Sequence, residues 1–242
     1  MGDTYLSLVT DFMMETALSG GSPPEDVTAA TGDQQKAAYW INQANLQVQR
    51  EWINWDFLWR FVTVNLTSES NIVPSATETI NTVTKDVVNM VKRKSLAIIQ
   101  SDGSAHFPLW QEWDNSEFKR LYVYEDQDAE DTPSAWSMAP NRVITLSAPI
   151  LTTGLTAKYE YLRKAKALVN NSDETLIPDD YSRVIIALAK IMYAEHEDAP
   201  EVSAGAHEEY DFTLSQLQAA HLPDQGFNRE SHSDADLVVS PE

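Results

Sequence analysis

The sequence predicts an α+β fold. A four-helix bundle is formed by N- and C-terminal helical segments, a β-rich, sandwich-like region is inserted between them, and a flexible tail closes the chain. Three observations carry this reading. Apolar residues recur at helical spacing near both ends of the 242-residue chain. The middle switches to short, alternating, β-branched runs separated by turn residues, and the last stretch has neither period. The boundaries fall at 1–60 for the first helical segment, 61–175 for the β-rich insertion, 176–222 for the second helical segment and 223–242 for the tail. A hydrophobic fraction of 43% is enough to bury one good core or two small ones.

A first helix is predicted over 4–18, with Thr4 as N-cap and Tyr5, Leu8 and Phe12 on one face. Gly20-Gly21-Ser22-Pro23-Pro24 breaks it, and a loop follows through Gly32. The second helix is expected over 33–54. Trp40, Ala44, Val48 and Trp52 are spaced by four, with Ile41 and Ile53 beside them, while Asn42, Gln43, Asn45, Gln47, Gln49 and Arg50 mark its polar sides. From Trp59 to Leu66 the alternation is that of a strand. Residues 67–84 read as a loop, followed by short strands at Asp86 to Met90 and Ser95 to Gln100, with Asp102-Gly103 as a hairpin turn toward His106 and Phe107. Residues 109–120 fit a short helix or an aromatic loop, and Glu125 to Asp131 an exposed acidic turn. Ala135-Trp136-Ser137 and Arg142 to Leu146 read as paired strands around Pro140-Asn141, and Thr156 to Leu162 as a further strand. After Ile177-Pro178 comes the clearest helix, with Tyr181, Val184, Ile185, Leu188, Ala189, Met192 and Tyr193 on one stripe and its end at Pro200. A last helix is expected over 202–221, carrying Ala206, Tyr210, Leu214, Leu217 and His221.

Composition narrows the function. The absence of Cys removes disulfides, zinc thiolates, iron–sulfur clusters and cysteine nucleophiles. No basic N-terminal segment precedes an apolar run, and no apolar stretch approaches the roughly 18 residues that span a bilayer, so neither secretion nor a membrane is expected. Asp plus Glu is 37 against 17 Lys plus Arg, a net −20. A duplex grip needs the opposite balance.

No catalytic constellation survives inspection. The chain has no Gly-x-Ser-x-Gly, no phosphate-cradling glycine loop and no His-Glu-x-x-His; His196-Glu197 begins the last of these, but position 200 is Pro, and His207-Glu208 fails as well. Asp179-Asp180, Glu208-Glu209 and the 125–131 run lack calcium-loop spacing and read as solvated surface. Catalytic, cofactor-binding and metal residues are therefore none. Two basic clusters stand out, Lys92-Arg93-Lys94 and Arg163-Lys164 with Lys166, and pairing with the excess carboxylates, between subunits or within the chain, is the favoured role over phosphate binding. The series Trp52, Trp55, Phe57, Trp59 and Phe61 fits core at the helix-to-strand junction better than a base-stacking platform.

The order of three stretches resembles the head-to-tail adaptor proteins of tailed bacteriophages, including the tail tubular protein A group of short-tailed phages. The first is Trp40-Ile41-Asn42-Gln43-Ala44 running into Trp55-Asp56-Phe57-Leu58. The second is Ala139-Pro140-Asn141-Arg142-Val143-Ile144-Thr145-Leu146 followed by Tyr159-Glu160-Tyr161. The third is Leu176-Ile177-Pro178-Asp179-Asp180-Tyr181, with Ala187 and Ala194 in the helix it opens. The resemblance covers about residues 4–222. It implies a structural protein of the virion neck, made in the host cytoplasm. Such a protein forms a ring, usually of twelve copies, between the portal protein and a tail, nozzle or stopper protein. It needs no cofactor, and genome DNA passes its lumen without specific binding. It also implies that the C-terminal segment reaches toward the portal, and portal docking is therefore expected of 223–242, with its apolar residues Phe227, Leu237, Val238 and Val239 as anchors. The competing readings are another neck protein (a stopper or completion protein), a cell-wall glycan hydrolase using a carboxylate pair, and an acidic DNA mimic.

Overall fold

The computed structural model describes residues 3–18, 22–80, 83–92, 95–99, 105–111, 115–124, 133–151 and 153–222. The fold is mixed α and β, and the chain divides into two compact units. One is discontinuous, Met1–Asp56 with Ala167–Glu242; the other is Phe57–Lys166. The Gly20-Gly21 break, the Asp102-Gly103 turn, the 125–131 acidic run and the 223–242 tail lie wholly or largely outside the described residues.

The helical unit holds α1 (Tyr5–Thr16), α2 (Asp33–Glu51), α4 (Arg183–Glu197) and α5 (Pro200–His221). Thr4 caps α1, its hydroxyl accepting from the Ser7 N–H at 3.2 Å. The α1 face expected from spacing is the buried one: Tyr5, Leu8, Val9, Phe12 and Met13. They meet α2 and α4, where Phe12, Trp40 and Tyr193 pack tilted or edge to face with centroids 5.5–6.1 Å apart. On α4 the stripe Val184, Ile185, Leu188 and Ala189 is buried, and α5 contributes Ala206, Leu214 and Leu217.

Four helical expectations need correction. The second helix stops at Glu51, three residues early, because Trp52 turns into extended backbone (φ −129°, ψ 131°). Trp52 and Ile53 are then 42% and 57% exposed instead of continuing the apolar stripe. The buried Trp55 takes over the helix end: its indole N–H donates at 3.0 Å to the Val48 carbonyl, one of the acceptors that a helix terminus leaves unpaired. Asn45 and Gln49, read as polar surface, are buried; the Asn45 side-chain oxygen accepts from Gln49 at 2.7 Å and from the Thr175 hydroxyl at 2.8 Å. Asn42 likewise accepts from the Leu168 N–H at 2.9 Å, so this polar stripe pins the returning segment 167–177 to α2. Residues 179–181 form a 3-10 turn ahead of α4. The helix ends at Glu197, where Asp198 adopts left-handed backbone (φ 53°). Pro200 opens α5 at its first turn, where a missing N–H costs nothing.

The second unit is built from short strands. A five-stranded sheet has the order β1 (Trp59–Asn65), β11 (Thr156–Arg163), β6 (Ala97–Ile99), β7 (Ala105–Pro108), with β5 (Val88–Val91) also pairing β11. A four-stranded sheet has the order β2 (Ile72–Val73), β10 (Ile144–Leu146), β9 (Ala135–Met138), β8 (Trp110–Gln111), and β3 (Thr77–Ile80) and β4 (Val83–Asp86) pair as a hairpin. The predicted loop 67–84 therefore contains β2, β3 and the start of β4; its Ser, Thr and Asn residues conceal strands that pair only after the chain folds. The stretch 109–120 is divided between β8 and the helix α3 (Asn115–Lys119), which runs on as one π-helical turn to Tyr124. One apolar core binds this unit, with Val73, Leu96, Ile98, Trp136, Ile144, Leu146, Ala157 and Tyr159 at its centre. The strand pair at 135–146 forms as expected, in register Ile144↔Met138, turned by Arg142 at φ 67°.

Candidate functional site

Dividing the charge between the units gives the most informative feature of the molecule. Residues 1–56 and 167–242 hold 24 of the 37 carboxylates but only 5 of the 17 Lys and Arg; residues 57–166 hold the remaining 13 and 12. The helical unit thus carries −19 of the net −20, and the β unit is close to neutral. Through residue 222 the helical unit has 19 carboxylates and four cations: Lys36, Arg50, Arg183 and Lys190.

Three of those cations are consumed within the unit. Arg183 and Lys190 on α4 both bind Glu15 of α1 and Glu209 of α5, Lys190 lying 2.9 Å from Glu209 and Arg183 Nη2 2.7 Å from Glu15. This ring of four charges ties three helices together. Burial alone would raise the Glu209 carboxyl, but the hydrogen bonds and charges of Lys190 and Arg183 hold it below the usual glutamate range. Lys36 bridges Asp33 and Glu197 at 3.9 and 3.3 Å. Arg50 lines a groove along three helices.

That groove, of about 540 Å³, runs along α2, α4 and α5 and is lined by Gln43, Leu46, Gln47, Arg50, Glu51, Met192 and Tyr210. Its one carboxylate, Glu51, accepts the Tyr210 phenol at 2.9 Å, and burial together with that carboxylate keeps the phenol protonated well above its ordinary value. A smaller groove of about 300 Å³ lies among Gln35, Lys36, Tyr39, Trp40 and His196. His196 is exposed there, 3.0 Å from Glu197 and edge-on to Trp40 at 5.6 Å. Neither groove joins two carboxylates across an opening or sets a base against a nucleophile. Among the described residues no cluster of His, Asp and Glu could hold a metal ion.

The sequence-predicted basic residues fall apart in the structure. Lys92 is exposed after β5 and Lys164 follows β11; the two strands are antiparallel, with Lys92 N–H bonded to the Glu160 carbonyl and Lys164 N–H to the Val87 carbonyl, so the clusters flank opposite ends of one ladder. Lys92 pairs with Glu160 at 2.5 Å and lies 5.8 Å from the Trp59 ring. Arg163 is only 9% exposed, which withdraws it from any surface patch, and Lys164 and Lys166 are half-buried. Arg93 and Lys94 lie outside the described residues, as do the expected portal anchors Phe227, Leu237, Val238 and Val239. The aromatic series is divided too: Trp55 and Phe57 are buried, whereas Trp52 and Phe61 face solvent.

The charge partition can be counted within the sequence-predicted boundaries, and the structural division at Asp56/Phe57 and Lys166/Ala167 sharpens it. No helix among the described residues is long and apolar enough to cross a membrane. No protein-family model and no curated protein matches the chain.

Proposed function

We propose that the chain is a structural head-to-tail adaptor of a tailed bacteriophage, one subunit of a ring that continues the DNA channel below the portal and offers the tail its platform. In this reading the helical unit is a four-helix bundle, and the β unit, with its two sheets sharing one core, is a sandwich-like insertion. The observation that carries the proposal is the segregation of charge: a polyanionic helical unit joined to a near-neutral β unit. A conduit must hold DNA off its wall, while the contacts that close a ring need charges of both signs. The two units divide those tasks.

Magnitude explains why many carboxylates are needed. A carboxylate about 8 Å from a phosphate is repelled by only about 0.5 kcal/mol in water, and screening at physiological salt reduces that further. No single side chain makes a wall. Nineteen carboxylates against four cations in each copy, multiplied around a ring, do.

The test is assembly on the cognate portal protein. Wild-type chain should bind it and join filled heads to tails, whereas a chain lacking 223–242 should keep its circular dichroism spectrum and fail to join. Unimpaired joining by the truncated chain would remove the tail's assigned role. Recovery of the chain at a site away from the portal–tail junction in purified particles, or hydrolysis of cell-wall glycan on a zymogram, would sink the adaptor reading itself.

A further inference from the structure

We propose that in the assembled ring the outer face of the five-stranded sheet receives α5 of the next copy. The inference rests on the ring reading above and names its subunit contact.

The sheet face follows from strand alternation. Val62 and Val64 of β1 turn toward the core with Ala157, Tyr159 and Tyr161 of β11. The intervening residues Phe61, Thr63 and Asn65 face outward beside their register partners Glu160, Lys158 and Thr156, and Ala97 and Ile99 of β6 extend the row. Phe61 is 61% exposed. Glu160 is neutralised in place by Lys92, which leaves Lys158 as the uncompensated charge; among the described residues it makes no ion pair. This face is largely polar and slightly positive, exposed along β1 and half-buried along β11 and β6, with Phe61 as its exposed apolar residue.

Helix α5 presents the complement. Its inner side is Ala206, Leu214 and Leu217. On its outer side Gly205, Phe212 and Ala219 lie seven residues apart on one stripe, with Glu208 and Ser215 between them. Phe212 is 63% exposed, and a Cβ built on Gly205 would meet nothing within 4 Å. The 22 residues of α5 include four carboxylates and no Lys or Arg. An exposed phenylalanine on an acidic helix and an exposed phenylalanine on a cationic sheet face remain uncovered within one chain.

Charge selects the occupant. Helical unit against helical unit would bring together two surfaces of 19 carboxylates and four cations each, and like charges facing one another suppress that pairing. The sheet face carries no such penalty. Because the two patches differ, the contact is head-to-tail, the kind that closes into a ring when its rotation permits.

The chain has no cysteine, so cross-linking is clean. Phe61→Cys and Phe212→Cys chains of distinguishable mass, mixed and oxidised, should yield the mixed disulfide in clear excess over either homodimer. Sedimentation supplies the second arm: Lys158→Glu should weaken self-association about tenfold at low salt, and Glu208→Lys in the same chain should restore it. Self-association with no mixed disulfide and no effect of Lys158→Glu overturns this contact and leaves the ring intact. Loss without rescue shows that α5 is not the occupant. An intramolecular disulfide in a dilute Phe61→Cys/Phe212→Cys chain overturns the contact as well. A wild-type chain that stays monomeric at every concentration and on the portal removes the ring itself.

Discussion

Tyr5 shows how much one side chain can report. Its phenol is buried against α2 and donates to the Ala38 carbonyl at 2.6 Å, and burial pushes its pKa up to about 12. A raised pKa means that the neutral phenol is the folded form. Its contribution is whole below the unfolded value near 10 and is lost as pH climbs toward the folded one. Tyr5→Phe should lower stability by about 0.5–1.5 kcal/mol at pH 7, since one buried hydrogen bond is lost while the Ala38 carbonyl keeps its helical donor. It should also flatten the alkaline fall in thermal midpoint between about pH 10 and 12; an unchanged alkaline limb would contradict the assignment. Tyr5 was placed on the core face by its spacing, but its hydroxyl partner lies 33 residues away and has no local signal. Asn45 teaches the converse lesson. Its amide reads as solvent-facing on any helical wheel, and only the return of segment 167–177 makes it an interior group with two donors to satisfy.

Among the elements, helices were the most legible and their ends the least. The centre of the α4 stripe, Val184, Ile185, Leu188 and Ala189, is buried as its period predicts, whereas Tyr181 falls in the preceding 3-10 turn and Met192 and Tyr193 are half-buried. The end of α2 was misplaced because Trp52 and Ile53 continue the period while the cap that stops the helix, the Trp55 indole, comes from beyond it. Strands β2 to β4 were missed because short polar runs acquire partners only through long-range pairing. Gly205 gives the element-scale test of α5: it is helical, solvent-facing and free of steric neighbours. Gly205→Ala should therefore raise stability by roughly 0.5–1 kcal/mol, seen as a higher thermal midpoint; a destabilised variant would mean that the backbone there is not helical. The four-charge ring across α1, α4 and α5 should show itself in acid. With the Glu209 carboxyl depressed, its stabilisation is present above the unfolded glutamate value near 4.3 and is lost as pH falls through the folded one. Glu209→Gln should remove part of the acid-induced loss of midpoint below about pH 4. A variant with the wild-type acid limb would show the ring to be idle.

At the scale of the whole molecule, repulsion within the helical unit sets the response to salt. Nineteen carboxylates against four cations leave far more like-charge pairs than ion pairs. Raising NaCl from about 0.02 to 0.3 M shortens the Debye length severalfold and should raise the midpoint followed by helical circular dichroism. The near-neutral β unit, followed through the buried Trp136, should hardly move. Equal responses would mean that charge segregation has no energetic consequence. The candidate surfaces were only partly legible in the sequence. Net charge, its concentration in the helical segments and the basic clusters could be counted, but not that the clusters flank opposite ends of one ladder or that Arg163 is interior.

The discontinuity of the helical unit constrains how a ribosome can deliver it. β1 and β11 open and close the inserted unit as neighbours, Trp59 facing Leu162 in register, so everything that unit requires has been synthesised by Lys166. Helices α1 and α2 emerge first, yet their partners α4 and α5 are translated last. The insertion is thus free to mature during translation while the older N-terminal helices wait, apolar faces open, for the final turns to leave the exit tunnel. Nascent chains stalled with residue 180 just outside the tunnel should already resist protease across 57–166 and remain cleavable within 5–51.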